Sequence, residues 1–433
     1  MTLARRIDRL LPLLAGVVAF AVYVATSAPT ITPDQSGHFV VAADHLGVAR
    51  HPGYPVWHLV AHGFTRLYGG TFQGYPNPAR AVNLMSAFFA ALGVALLAML
   101  LMQLLRSLFA ADRLPKDAPV IAMRGVAAWS GAMQLAFNSA FWSQALVSET
   151  HAFATAWFLL CWWVYARWID NRSASCGWWA AALTGLGPSI SPLHLLLIPV
   201  WAITALIAVG RRTGVAACGA ALLYFGWLYA AFRVGSADPR AFITICAAFL
   251  LVLVAMSDFR VGRSMAGYFL VLWGGLLPYL YLPLTAIRKP PVNSGACYLW
   301  EGFWHVVSRG QYERLKPFEA WQNPENIQRL VKWLADITCD HFTLPLVLVA
   351  WVPFLAYCWA TRSERRQILL AAVLVLFYGF VVVMGANPKA DVQTMLIARP
   401  ILLPFWSVIA GLIGWGCAWL LYGVARLQRR APP

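Results

Sequence analysis

The chain has 433 residues, of which 60% are hydrophobic and only 12% are charged. A soluble domain is about half apolar and about one quarter charged, so this composition excludes a soluble enzyme, a disordered chain, a collagen and a coiled coil. The net charge of +16 does not by itself indicate nucleic acid, because basic residues also accumulate in the cytoplasmic loops of membrane proteins.

Apolar runs of about 20 residues recur along the chain, and this length crosses a bilayer as a helix. The predicted spans are 11–28, 81–105, 120–140, 151–168, 177–190, 193–209, 214–232, 241–256, 266–286, 343–360, 368–384 and 401–424. The first run is too long for a signal peptide, and we interpret it as a retained span. We therefore expect an all-α polytopic membrane protein, a single membrane domain over 1–433 with about 12 transmembrane helices.

The basic residues predict the orientation of these spans. Of the 33 Lys and Arg residues, 19 fall in the short loops that an N-in, C-in topology places inside. Short cytoplasmic loops are enriched in Lys and Arg, so this distribution favours cytoplasmic termini and needs no nucleic-acid partner.

Two long segments, 29–80 and 287–342, are then predicted to lie outside. Both mix Trp and Tyr with His, Arg and Glu, a composition typical of amphipathic helices at the membrane interface. The second segment also holds Cys297 and Cys339, which could pair in an oxidising compartment.

The first outer loop opens with a carboxylate, Asp34, in the stretch PTITPDQSGHF. At the membrane surface it could act as a general base or ligate a divalent cation. It could equally be the N-cap of a short helix, since Asp is a favoured cap residue. His38 follows four residues later and would share a helix face with it.

Other polar residues mark candidate contacts in the outer segments. Arg50, His51 and Tyr54 lie in RHPGYP, which is either a phosphate contact or a structural turn. Glu149 and His151 lie at the outer end of a span, where an ionisable group favours a polar cavity.

Arg288, Arg309 and Arg399 form a basic outer group. The planar guanidinium suits phosphate, in a lipid-linked substrate or equally in anionic membrane lipids.

Several ordered stretches together resemble the GT-C glycosyltransferases, and within them a family that includes a eukaryotic transmembrane O-mannosyltransferase. The matching stretches are DQSGHF (34–39), LGVARHPGYP (46–55), RAVNLMSA (80–87), FWSQALVSETHAF (141–153), KPPVN (289–293), WEGF (300–303) and RGQY (309–312). The resemblance covers about residues 10–320, with weaker similarity around 399–404.

This resemblance implies a bundle with an active site in the outer loops. The expected reaction is inverting transfer of a sugar from a polyprenyl-phosphate donor to an acceptor protein or glycan. Asp34 would be the catalytic base, Glu149 and His38 would position the substrates, and an arginine would hold the donor phosphate. It further implies a bacterial inner-membrane protein that is active at the extracytoplasmic face.

The chain departs from the family pattern at two positions of the first motif. Gln35 stands where the family has Asp, and His38 where it has Glu. These departures keep open a second hypothesis, a catalytically degenerate scaffold that binds lipid or serves as a subunit of a membrane complex. A transporter of lipid-linked sugars is a third alternative, and turnover, binding without turnover and vesicle uptake would distinguish the three.

Overall fold

The computed structural model describes residues 3–33, 36–109, 118–311, 323–388 and 399–428. The α-helices of these ranges are α1 Leu3–Thr26, α2 Ser36–His45, α3 Pro55–Leu67, α4 Pro78–Leu108, α5 Ala118–Ala136, α6 Ser139–Ala145, α7 His151–Asn171, α8 Ala174–Leu186, α9 Leu197–Ala208, α10 Arg211–Ala230, α11 Pro239–Met256, α12 Arg260–Gly274, α13 Tyr281–Ala286, α14 Trp300–Val307, α15 Pro324–Leu355, α16 Arg362–Val375, α17 Val382–Ala386 and α18 Leu403–Gln428. The described strands are β1 Thr71–Phe72 and β2 Tyr75–Pro76, which pair as a short antiparallel hairpin.

The fold class is confirmed: the chain is an all-α polytopic membrane protein. Eight stretches of the described chain are long and apolar enough to cross a membrane, or nine if the bent pair α5–α6 is one span. Every span predicted from the sequence overlaps a helix. The predicted number of about 12 transmembrane helices is nevertheless larger than the eight or nine found among the described residues. Three helices account for the difference. The helices α8 and α9 are short, with 13 and 12 residues, and α7 is rich in Trp and carries charged residues near its C-terminal end.

The bundle is built around α4 and α18. In α18, 89% of the apolar stretch is buried inside the protein, against 6% in α11. The helix α4 packs along α1, α5 and α7, while α18 packs along α5 and α15. A membrane helix that is buried on most sides is central, whereas α11, which is mostly exposed apart from its contacts with α10 and α12, faces lipid.

The two predicted outer segments do contain short helices. The first segment forms α2 and α3, and the second forms α14 and the beginning of α15. They lie at the end of the bundle where α1 ends and α4 begins, since Arg80 and Asn83 of α4 contact the chain just after α1. We call this end the loop end.

Two local features shape this end of the bundle. Asn138 caps α6 by accepting hydrogen bonds from the backbone N–H groups of Ala140 and Phe141, so α6 bends by 66° from α5. Thr343 interrupts α15 with φ 59° and ψ 150°, at the first residue of the span predicted at 343–360. A β-branched residue at positive φ is unusual, and it marks a kink after which α15 continues to Leu355.

The considered disulfide between Cys297 and Cys339 is not formed. Both thiols are free, and Cys297 is buried while Cys339 is only half-buried. Cys297 packs in a small apolar cluster with Val48 and Tyr281, so it serves as a buried apolar side chain.

Candidate active site

The two outer segments meet at a short backbone junction. The Val48 N–H donates to the Val292 carbonyl at 3.0 Å, and the Ser294 N–H donates to the Val48 carbonyl at 3.0 Å. The Ser294 hydroxyl also donates to the Ala49 carbonyl at 2.8 Å. Residues that are far apart in sequence are thereby held side by side at the loop end.

Gly47 makes this close approach possible. A Cβ atom at this position would lie 2.4 Å from the Val292 carbonyl oxygen. The Gly47 carbonyl in turn accepts a hydrogen bond from the Tyr281 hydroxyl at 2.8 Å. The junction therefore requires glycine at residue 47, in the LGVARHPGYP stretch.

The RHPGYP stretch folds into a tight turn before α3. The His51–Pro52 peptide bond is cis, and the Gly53 N–H donates to the Arg50 carbonyl at 2.6 Å. Gly53 has φ 104° and Tyr54 has φ 43°, after which Pro55 begins α3. Proline is favoured at the first position of a helix because it has no N–H to satisfy.

This turn brings His51 against the second outer segment. The imidazole rings of His51 and His305 meet edge to face, with centroids 5.0 Å apart. The pKa of His51 is lowered to about 4, first by burial and then by the electrostatic effects of His305, Arg50 and Arg309, against which a hydrogen bond with Gln311 acts. His51 is therefore neutral at physiological pH in basic surroundings, which suit an anionic ligand.

His58 is a buried histidine that was not among the predicted site residues. It lies on α3, stacks on the Tyr281 ring at 6.0 Å, and its Nδ1 is 3.0 Å from the Tyr54 carbonyl. Burial lowers its pKa to about 4. His58 thus packs in its neutral form against Tyr281 at the start of α13, and it contacts the RHPGYP turn through the Tyr54 carbonyl.

Arg80 and Asn83 hold the chain that leads from α1 to Asp34. The Arg80 guanidinium donates to the carbonyls of Ser27 and Ala28, at 3.0 and 3.1 Å. The Asn83 amide donates to the carbonyls of Ala28 and Thr30, at 2.8 and 3.0 Å. Buried backbone carbonyls need hydrogen-bond partners, and these side chains supply them to the irregular chain that follows α1.

Neither of these two residues was among the sequence-predicted site residues. Arg and Asn at the start of an otherwise apolar span were the available signal, because a polar side chain at that depth needs a partner. The same Asn83 accepts a hydrogen bond from the Ser148 hydroxyl at 2.6 Å. This bond places the residue before Glu149 close to the same chain segment.

The structure describes two of the three predicted catalytic residues, His38 and Glu149. Asp34 lies outside the described residues, so its predicted base or capping role stays a prediction. His38 is exposed on α2, and Glu149 is half-buried just before α7. His151 is the first residue of α7 and accepts a hydrogen bond from Thr155 through its carbonyl.

The three arginines of the predicted basic group lie beside different helices, after α13, after α14 and before α18. Arg309 follows α14, is exposed, and acts electrostatically on His51 together with Arg50. Arg288 is exposed beyond α13. Arg399 begins a 3-10 turn before α18, where its Nε is buried without a hydrogen-bond partner among the described residues.

Metal binding was considered for Asp34. Among the described residues, no group of three or more His, Cys, Asp or Glu side chains is arranged to hold a metal ion. Asp34 lies outside those residues, so a divalent cation at that position stays a prediction.

The comparison with protein families supports the resemblance given by the motifs. Residues 35–213 match the family described as Protein O-mannosyl-transferase TMEM260 N-terminal domain. No curated protein matches the chain. The matched region spans α2 to the start of α10, so it includes the RHPGYP turn, Arg80, Asn83 and Glu149. The match indicates a membrane glycosyltransferase in general.

Proposed function

We propose that this chain transfers a sugar from a polyprenyl-phosphate donor to an acceptor hydroxyl at the extracytoplasmic face of the membrane, with inversion at the anomeric carbon. The match to an O-mannosyl-transferase domain supports this proposal and favours mannose. The observation that carries it is the convergence of Arg50, His51, His305 and Arg309 from both outer segments.

This basic cluster suits the phosphate of a lipid-linked donor. The guanidinium of arginine binds two phosphate oxygens at once. The low pKa of His51 arises first from burial and then from the positive electrostatic effects of His305, Arg50 and Arg309, and it is these neighbouring basic groups that would attract a negative charge. In the proposed reaction Arg50 and Arg309 hold the donor phosphate and stabilise the charge that builds up as it leaves.

Asp34 is the proposed base. Both described flanks of this residue are anchored: Asn83 binds the Thr30 carbonyl, and the Thr32 N–H donates to the Ser36 hydroxyl at 2.9 Å. The acceptor O–H would give its proton to the Asp34 carboxylate while the oxygen attacks the anomeric carbon. The bond from that carbon to the phosphate oxygen breaks, and polyprenyl phosphate leaves with the electron pair.

The remaining predicted residues are proposed to position the substrates. Glu149 follows Ser148, which is tied to Asn83, so its carboxylate belongs to the same end of the bundle as the anchored segment. His38, Tyr54 and His151 would contact the sugar or the acceptor, and Arg399 offers a further donor for the lipid phosphate. Because basic residues accumulate in short cytoplasmic loops, those at the opposite end of the bundle favour an orientation in which the loop end faces the extracytoplasmic side.

The test is transfer of labelled mannose from mannosyl polyprenyl phosphate by the purified protein in lipid nanodiscs. Asp34→Ala should abolish transfer with normal expression and melting temperature. Donor binding without turnover in the unmodified protein would favour the degenerate scaffold instead. Transfer by Asp34→Ala at the unmodified rate would refute the role of this carboxylate.

A further inference from the structure

An open cavity of about 350 Å³ lies at the end of the bundle opposite the loop end. It is formed by α1, α4, α7 and α16, near the residues where α1 begins and α4 ends. Its wall is polar on one part and apolar on another, with Met99, Met102, Leu104 and Trp163 on the apolar part. The proposed transferase site does not involve these residues.

Asp170 forms the acidic part of the wall. Its carboxylate accepts hydrogen bonds from Gln103 at 2.7 Å, Ser363 at 2.9 Å and Gln367 at 3.1 Å. These donors are neutral, and Asp170 forms no salt bridge within the described part of the chain. A carboxylate has about four acceptor positions, so this one keeps its negative charge and one position for a further donor.

Gln367 provides a second acceptor beside it. This side chain is only 5% exposed, and its amide nitrogen donates to the Ala166 carbonyl at 2.8 Å and to Asp170. Its Oε1 is buried and has no hydrogen-bond partner among the described residues. Buried acceptors are usually paired, so Asp170 and Gln367 together present two acceptors that suit a primary ammonium group.

Two arginines form the basic part of the wall. The Arg167 guanidinium is exposed and lies over the Trp163 ring, 5.0 Å from its centroid. Arg106 approaches Asp8 at 3.7 Å, but Asp8 also pairs with Arg124, so one carboxylate serves two guanidinium groups. Positive charge therefore remains on this side, where it suits phosphate.

We propose that this cavity binds a phosphate ester that carries a primary amine, as in the headgroup of phosphatidylethanolamine. The ammonium would donate to Asp170 and Gln367, and Arg167 with Arg106 would hold the phosphate. The acyl chains would lie along Met99 and Trp163, which are half-buried and which a soluble phosphoamine would leave uncovered. This inference is independent of the proposed transferase activity.

The test compares four ligands on the delipidated full-length protein in detergent: phosphatidylethanolamine, phosphatidylcholine, phosphatidylglycerol and free phosphoethanolamine. Native mass spectrometry measures the bound fraction, and the melting temperature gives a second readout. Phosphatidylethanolamine should bind at least about tenfold more tightly than phosphatidylcholine, whose trimethylammonium group cannot donate a hydrogen bond. Equal binding of free phosphoethanolamine would support the polar contacts and assign a soluble ligand. Equal binding of phosphatidylethanolamine and phosphatidylcholine would overturn the proposal.

Variants of the protein distinguish binding in this cavity from a general attraction of lipid headgroups to a basic surface. Arg167→Gln changes an exposed residue and should weaken phosphatidylethanolamine binding at least about tenfold. Arg212→Gln removes an exposed arginine outside the cavity and should leave binding unchanged. Asp170→Asn should lower the preference for phosphatidylethanolamine over phosphatidylglycerol. Equal losses in Arg167→Gln and Arg212→Gln would contradict a specific site.

Discussion

The imidazole rings of His51 and His305 are 5.0 Å apart and perpendicular, and they join two loop segments although the two histidines are 254 positions apart in the chain (305 − 51). Because His51 is buried between this ring and two arginines, it has a strongly lowered pKa. The contact therefore couples the packing of the loops to the charge at the proposed donor site.

Acid should destabilise the folded protein through His51. Its pKa is about 4 when folded and about 6.5 when unfolded, so unfolding takes up a proton between these values. The contribution is fully present above pH 6.5 and is lost as the pH falls towards 4, at up to about 1.4 kcal/mol per pH unit. Melting temperatures of the unmodified protein and of His51→Gln between pH 4 and 7.5 measure this slope.

The variant His51→Gln should melt with a shallower dependence on pH than the unmodified protein. His58 has a similarly low pKa, so part of the acid sensitivity should persist in this variant. Identical pH profiles for the two proteins would show that His51 is not held neutral by the fold.

Substitution of the two arginines at the cluster should weaken donor binding. Arg50→Gln and Arg309→Gln each remove one charge from the surroundings of His51. A lost charge-assisted hydrogen bond to phosphate corresponds to about tenfold or more in affinity, so KM for the lipid-linked donor should rise by that factor.

The matched control for these variants is Arg240→Gln. Arg240 is exposed at the start of α11, near Gly235, whose carbonyl accepts a hydrogen bond from Trp300 of α14. It therefore lies at the loop end without belonging to the cluster. If Arg240→Gln raised KM as much as Arg309→Gln, the effect would come from the general surface potential.

Removal of the Asn83 amide should release the segment that leads to Asp34. Asn83→Ala leaves the carbonyls of Ala28 and Thr30 without these donors, and it removes the acceptor of Ser148. We expect a loss of about 2 kcal/mol in the free energy of unfolding and a fall in kcat of about tenfold or more. Denaturant titration and transfer assays on the same preparation measure both quantities.

Ser86→Ala is the control for this variant. Ser86 lies one turn further along α4, is equally buried, and its hydroxyl has no hydrogen-bond partner among the described residues. This change should leave stability and kcat close to those of the unmodified protein. A normal kcat in Asn83→Ala would mean that the anchor does not position the catalytic segment.

The sequence predicted the helical class because apolar runs report directly on burial in lipid. It predicted more spans than the described residues form, since α8 and α9 are apolar but too short to cross a bilayer alone, and α7 is interrupted by Trp and charged residues. The aromatic and charged outer segments did form short helices, as their composition indicated. Local composition thus gave the elements but not their lengths.

Contacts between distant segments could not be predicted in this way. Nothing in the residues around Val48 indicates that its backbone pairs with Val292, because a backbone hydrogen bond leaves no side-chain pattern. The motifs predicted Arg50 and Arg309 as candidate phosphate-binding residues, but only the folded chain brings both near His51. The polar wall around Asp170 likewise comes from α4, α7 and α16 and has no linear signature.

The junction of the outer segments should be sensitive to a single methyl group at Gly47. Gly47→Ala places a Cβ atom 2.4 Å from the Val292 carbonyl oxygen, so the two backbones must separate. Overpacking of this kind costs about 1–3 kcal/mol, and loss of the Val48 hydrogen bonds would disturb the turn that carries His51. We expect a lower melting temperature together with a higher KM for the donor.

The helix α3 offers the matched control for this change. Gly63 also lies in the first outer segment, but a Cβ atom there would have no atom within 4 Å. Since Ala is favoured over Gly inside a helix by about 0.5–1 kcal/mol, Gly63→Ala should maintain or raise the melting temperature. If both variants melted at the same temperature with the same KM, the outer segments would not depend on close contact at Gly47. A loss confined to Gly47→Ala would show that the two segments act as one unit in holding the donor.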